Sequence, residues 1–234
     1  MDYPRLRFSS LPSSNTYLIE HWTEFGPFAF VRTDFQSAGR GRGEHTWSSA
    51  PGENLLFSML IKNPDASKVG LYSLGAAVAV TLSLKEMGLV GLTIKWPNDV
   101  YCGDKKICGI LLQGSLPDYL VIGIGVNVNQ KTFEGEYAHT PTSYYLEKGE
   151  EGDNDKLFDL ICGYLVNYFD VASIEGDELL REFRKRDYLY GKDIRRLDKG
   201  KTVSGVALGV DEAFNLIVNE DGKRRLINSG EILI

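Results

Sequence analysis

Three apolar runs between residues 92 and 129 constrain the fold of this chain more than any other feature. Leu92-Thr93-Ile94 leads into Lys95-Trp96-Pro97-Asn98-Asp99, where the proline cannot continue a central ladder and Asn-Asp favours a turn. Lys105 to Leu112 reads as the returning strand. Val121 to Asn129 reads as a third, whose Gly123 and Gly125 let another group approach the backbone. Phe28-Ala29-Phe30-Val31 and Leu55 to Ile61 are also strand-like. Helical spacing appears over Ser73 to Gly88, Leu157 to Phe169 and Asp177 to Arg186. This order is not strict β-α-β alternation, so it predicts an α+β fold with one mixed sheet covered by helices on one face. The small Gly75, Ala76, Ala77 and Ala79 predict that the first long helix packs closely on that sheet. Glu147 to Asp155 predicts an exposed loop.

From about Lys192 the texture changes to short strands: Asp193–Leu197, Thr202–Leu208, Phe214–Val218 and Lys223–Ile227. Lys199-Gly200 and Asp221-Gly222 supply hairpin turns between them. So small a β unit is expected to dock on the main domain rather than stand alone.

Composition excludes several function classes. Of the 234 residues, 43% are hydrophobic and 25% charged, as in ordinary globular proteins. The net charge of −6 argues against general nucleic-acid binding. Cys102, Cys108 and Cys162 lack metal-ligand spacing and are expected to be reduced and buried. The N-terminus has no signal-like apolar segment, and no run is expected to approach the ~18 apolar residues of a membrane span. The reading is a cytoplasmic protein with no membrane partner.

The chemistry concentrates in three places. Gln36-Ser37-Ala38-Gly39-Arg40-Gly41-Arg42-Gly43, followed by Trp47, joins a freely turning backbone to two forked cations and a flat ring. It matches neither the dinucleotide-binding turn nor the P-loop. A solvated basic loop or a nucleic-acid patch would have the same composition. Lys95, Asn98 and Asp99 project at a strand end, and Lys106 stands at the start of the next strand. Ser13-Ser14-Asn15 is placed to cap a short helix beginning before Tyr17.

These segments together resemble the biotin protein ligases. The motifs are Ser13-Ser14-Asn15, Gln36-x-x-Gly39-Arg40-Gly41-Arg42…Trp47, Lys95-Trp96-Pro97-Asn98-Asp99, Lys106-x-x-Gly109-Ile110-Leu111 and Gly123-x-Gly125-Val126-Asn127, in the family's order. The similarity runs from about Ser13 to Asn129 and resumes near Gly230-Glu231-Ile232. It implies a class II synthetase-like catalytic domain over residues 1–188 and an SH3-like β-barrel over 189–234. It also implies a two-step reaction: ATP and biotin give biotinyl-5′-AMP, and a lysine of a carboxylase's biotin carrier domain then takes the biotinyl group. Mg²⁺ would enter with ATP rather than in a protein cage.

By the same resemblance, Lys106, Arg42 and Asp99 are the catalytic candidates. Ser13, Ser14, Asn15, Gln36, Arg40, Gly41, Arg42 and Lys106 would contact biotin. Gly39, Arg40, Arg42, Trp47, Asn98 and Asn127 would contact ATP or the adenylate. The loop from Ser37 to Trp47 is expected to order around the adenylate. Regulatory members carry an added N-terminal helix-turn-helix; with the first motif at Ser13, no DNA partner is expected. A homodimer through a strand edge is left open. Several positions depart from the family pattern: Pro12 before the Ser-Asn pair, the less basic Gly43-Glu44-His45-Thr46, Gln113 where glutamate is frequent, and an early C-terminus. Lipoate–protein ligase is the nearest alternative enzyme. A nucleic-acid-binding module and a biotin sensor without turnover are the readings from other classes.

Overall fold

The computed structural model describes residues 3–43, 45–135, 137, 139–169, 176–198 and 200–234. In chain order its elements are β1 (Arg5–Phe8), α1 (Ser14–Glu20), β2 (Phe28–Thr33), β3 (Leu55–Lys62), α2 (Val69–Glu86), β4 (Leu92–Lys95), β5 (Asp99–Cys102), β6 (Lys105–Ser115) and β7 (Tyr119–Val126). There follow α3 (Tyr144–Lys148), α4 (Asn154–Phe169), α5 (Gly176–Arg184), β8 (Asp193–Asp198), β9 (Lys201–Val210), β10 (Leu216–Glu220), β11 (Lys223–Ile227) and β12 (Ile232–Leu233).

The first seven strands form one sheet in the order β1-β2-β3-β7-β6-β5-β4. It is mixed because β1 runs parallel to β2 while the other neighbours are antiparallel. Side chains alternate between its two faces. Phe28, Phe30, Phe57, Met59, Ile122 and Ile124 join α2, α4 and α5 in the main apolar cluster. Ala29, Val31, Leu60 and Val121 pack under Leu18 of α1 on the opposite face. Helices therefore cover parts of both faces, a correction to the one-sided arrangement expected from sequence. Burial on both faces is also why β2 and β3 read as unbroken apolar runs.

Helix α2 brings two further corrections. Residues Ala66–Glu86 contain a window with mean hydropathy 1.3, long and apolar enough for a membrane span, contrary to expectation. Here 67% of that window is buried inside the protein, where it packs under the sheet as a core helix. Its Gly75 does not serve sheet contact: a Cβ there would come 2.9 Å from the Phe169 ring and 3.4 Å from Leu179. The missing side chain admits α4 and α5. Part of the expected loop at 147–155 is also ordered, because Glu147 and Lys148 complete α3.

The C-terminal strands form an antiparallel sheet in the order β11-β10-β9-β8-β12, the last strand returning beside the first. Asp221 (φ 50°) and Gly222 (φ 78°) are both left-handed, as a two-residue hairpin with paired Glu220 and Lys223 requires. Lys199 of the other expected turn lies outside the described residues. The sheet is docked as expected: Trp96 Nε1 donates to Phe214 O at 3.0 Å, and Phe214, Leu216 and Ile232 share the main apolar cluster. Cys102, Cys108 and Cys162 are free and buried.

Candidate active site

The cavity follows from where the sheet lacks side chains. On the α1 face, β6 and β7 oppose Gly109 to Gly125 and Leu111 to Gly123. Those glycines hollow the face beyond Leu18, and a cavity of about 610 Å³ opens over them. That size suits a small-molecule site.

One end of the cavity is built from neutral polar groups. Ser13 caps α1 by accepting from Thr16 N at 3.4 Å, which turns Ser14 and Asn15 inward, both buried. Gln36 Oε1 accepts from Ser14 N (2.8 Å) and from the Ser14 hydroxyl (3.1 Å). Ser58 donates to Asn15 Oδ1 at 2.5 Å and lies 2.7 Å from Ser14 Oγ. Asn15 Nδ2 donates to Gln113 Oε1 at 2.8 Å and Leu111 O at 3.3 Å. Gln113, the neutral departure from the family's frequent glutamate, thus fixes the Asn15 amide. Gly123 leaves the necessary space, since a Cβ there would sit 2.3 Å from Asn15 Oδ1. Ser58 was missed from sequence, although a lone hydroxyl in the otherwise apolar β3 run was the available signal.

The glycine–arginine loop crosses the cavity as a short hairpin. Gly41 N donates to His45 O at 2.7 Å, His45 N to Arg42 O at 3.2 Å and Trp47 N to Gly39 O at 3.0 Å. Gly39 lies behind the cavity wall, where a Cβ would strike Trp47 O at 2.3 Å. Arg40 and Gly41 reach the wall, and Arg40 is exposed. The Trp47 ring rests on the glycine floor: a Cβ would come within 2.8 Å of it at Gly109 and 2.6 Å at Gly125. Its buried Nε1 has no hydrogen-bond partner among the described residues. Arg42 donates to Asn98 Oδ1 (3.3 Å) and Gly230 O (3.2 Å), joining the loop, the β4–β5 turn and the C-terminal sheet. Asn98 is itself anchored by donating to Ile110 O at 2.7 Å. Glu44 lies outside the described residues.

The other end is charged. Lys106 Nζ lies 2.8 Å from Asp99 Oδ1, with both side chains largely buried. Lys95, on the wall beside them, is 5% exposed and 3.4 Å from His139 Nε2. Burial, ahead of the opposing pull of Asp99, holds the Lys95 ammonium below the ordinary lysine pKa. Burial and then the Lys95 charge likewise lower His139. Glu231 completes this end from the C-terminal segment. Asn127 is buried on the wall, held by donating from Nδ2 to Thr142 O at 2.9 Å. Lys95 was read in sequence as a strand-end lysine opening the Lys95-Trp96-Pro97-Asn98-Asp99 motif, without an assigned role. His139 carried no local signal, and Glu231 appeared only within the Gly230-Glu231-Ile232 match; the tertiary fold brings both here.

Of the residues singled out from sequence, all but Gly39 therefore line one cavity. Neutral donors and acceptors suit an uncharged polar ring at one end, and clustered cations suit anions at the other.

Comparison with known proteins shows the family to which these features belong. Residues 10–127 match the Biotin/lipoate A/B protein ligase family, and residues 190–234 match the biotin protein ligase C terminal domain. The bifunctional ligase/repressor BirA of Escherichia coli K12 is 28% identical over 229 residues, covering 95% of this chain and 71% of that protein. The biotin–[acetyl-CoA-carboxylase] ligase of Mycobacterium tuberculosis is 26% identical, covering 86% of this chain and 76% of that one. Among solved structures, the biotin protein ligase of Aquifex aeolicus in complex with biotin and ATP superposes with a TM-score of 0.84. It is 26% identical and covers 98% of this chain and 97% of that one. This chain belongs to the biotin/lipoate A/B protein ligase family.

Proposed function

We propose that this chain is an ATP-dependent biotin–protein ligase that activates biotin as biotinyl-5′-AMP and transfers it to a lysine of a biotin carboxyl carrier domain. One observation carries the reading: a neutral hydrogen-bonding end (Ser14, Asn15 and Gln36, backed by the buried Ser58) and a cationic end (Arg42, Lys106) share one cavity. A ureido ring offers hydrogen-bond partners to this neutral end, which an apolar dithiolane does not. This favours biotin over lipoate.

In the first step a biotin carboxylate oxygen attacks the α-phosphorus of ATP, and the bond to the bridging oxygen breaks with its electron pair leaving on pyrophosphate. Two anions must meet, so catalysis is positioning and charge neutralisation. Lys106 lies between the reacting carboxylate and the α-phosphate. Arg42, steadied by Asn98 and Gly230 O, covers the same oxygens. Arg40, Gly41 and Ser13 complete the biotin side; Trp47 offers a face to adenine, Asn127 its edge contact, and Gly39 shapes the turn beneath. In the second step the carrier amine attacks the acyl carbon and AMP leaves. Asp99, on the wall beside Lys106, orients the incoming ammonium before it loses its proton.

Mg²⁺ would enter with the phosphates of ATP, where it would neutralise phosphate charge, and the cavity-lining Asp99 and Glu231 carboxylates would be the oxygen donors to hold it. We assign residues 1–188 to catalysis and 189–234 to a unit that closes the cavity through Gly230 and Glu231. Three free buried cysteines fit a reducing, cytoplasmic setting. The test is mass spectrometry of an apo carrier domain incubated with the protein, ATP, Mg²⁺ and biotin. A single biotinyl mass gain at one lysine is expected; no gain would refute the function.

A further inference from the structure

Lys95 is the anomaly of the cavity. Its residue is 5% exposed, yet among the described residues no carboxylate lies within ion-pairing distance of its ammonium. Asp99 is the acid that acts on it most, and Lys106 already holds that group at 2.8 Å. Its ammonium lies 3.4 Å from His139 Nε2 and 5.7 Å from the Tyr101 ring centre. These are weak substitutes for a counter-ion. A buried ammonium without one is costly unless an anion visits the site.

We propose that Lys95 binds the β- and γ-phosphates of ATP and stabilises them as they leave as pyrophosphate. This rests on the ligase reading above. The geometry separates two cationic positions: Lys106 is the second residue of β6, Lys95 ends β4, and Asp99 stands on β5 between those strands. Lys106 faces the carboxylate and α-phosphate. When the bond from the α-phosphorus to the bridging oxygen breaks, the electron pair and new negative charge settle on pyrophosphate. No proton need move. Lys95 supplies the matching positive charge at that moment and plays no part once pyrophosphate has gone.

The experiment compares wild type, Lys95→Met and Lys95→Arg in three assays. These are biotin-dependent pyrophosphate release, ATP formation from biotinyl-adenylate and pyrophosphate, and transfer from synthetic biotinyl-adenylate to the carrier domain. Lys95→Met should lower the first two by about a hundredfold, while the transfer rate stays at the wild-type level. Lys95→Arg should recover most of the loss. Magnesium pyrophosphate should raise the melting temperature of wild type but not of Lys95→Met, whose own melting temperature should not fall because an unpaired buried charge has been removed. Equal losses in all three assays, no loss in the first two, or a lowered melting temperature would each overturn the assignment. Failure of wild type in all three would instead refute the ligase reading itself, and the inference with it.

Discussion

At the α1 end of the cavity, Ser14, Asn15 and Gln36, with Ser58 buried behind them, are joined by direct hydrogen bonds. At the opposite end Lys95, Lys106, His139, Asp99 and Glu231 crowd together with one close ion pair among them, Lys106–Asp99. The first end is organised by its own contacts and is suited to recognition. The second keeps charge in excess of its partners and is suited to drawing in phosphates and compensating charge that develops during reaction. The glycines of β6 and β7 let the two ends share one floor.

Removing Lys106 should break this division most severely. Lys106→Ala is expected to slow biotin-dependent pyrophosphate release by about 10²–10³-fold, with the folded structure retained. Circular dichroism beside the rate assay checks both parts. A rate equal to wild type would remove Lys106 from its role.

Gly123→Ala strikes the neutral end instead. Its new methyl would sit 2.3 Å from Asn15 Oδ1 and must displace that amide. The biotin concentration for half-saturation should rise roughly tenfold or more, with a smaller effect on the saturated rate. A biotin titration of pyrophosphate release reads both quantities. Loss of the saturated rate alone would show that the ends do not divide recognition from charge compensation.

The smallest expected effect concerns pH. The residues of the neutral network do not titrate, whereas His139 faces Lys95 of β4, Asp99 of β5, Lys106 of β6 and Glu231. Its folded pKa lies below the ordinary histidine value, chiefly through burial. The unfolded chain therefore binds more protons in the window below about pH 6.5, and wild-type stability falls there as pH drops. His139→Gln removes this term. Its melting temperature should gain on wild type by on the order of 2 °C as pH falls through that window, with no gain above it. A difference independent of pH would mean that His139 does not sense the cationic end.

Much of this was legible locally. The Ser13 cap, the apolar runs of β2, β3, β6 and β7, the amphipathic α4 and the Asp221-Gly222 hairpin each follow from patterns spanning a few residues. The shorter elements β1, β5 and α3 were missed because four or five residues give little periodicity. The purpose of Gly75 was hidden because a glycine does not say which neighbour needs its space. The cationic end was least legible. Lys95 meets His139 across forty-four positions, and Arg42 meets Gly230 across 188. Such convergence is set by the sheet order and by docking of the second sheet.

On the proposed mechanism, one cavity selects a polar ring acid at its neutral end and activates it at its cationic end. The direct measurement is pyrophosphate release by the whole protein with ATP and Mg²⁺ and no carrier, given biotin or lipoate in parallel. A burst stoichiometric with protein for biotin, and little for lipoate, is the predicted result. An equal or larger burst with lipoate, or none with biotin, would contradict it.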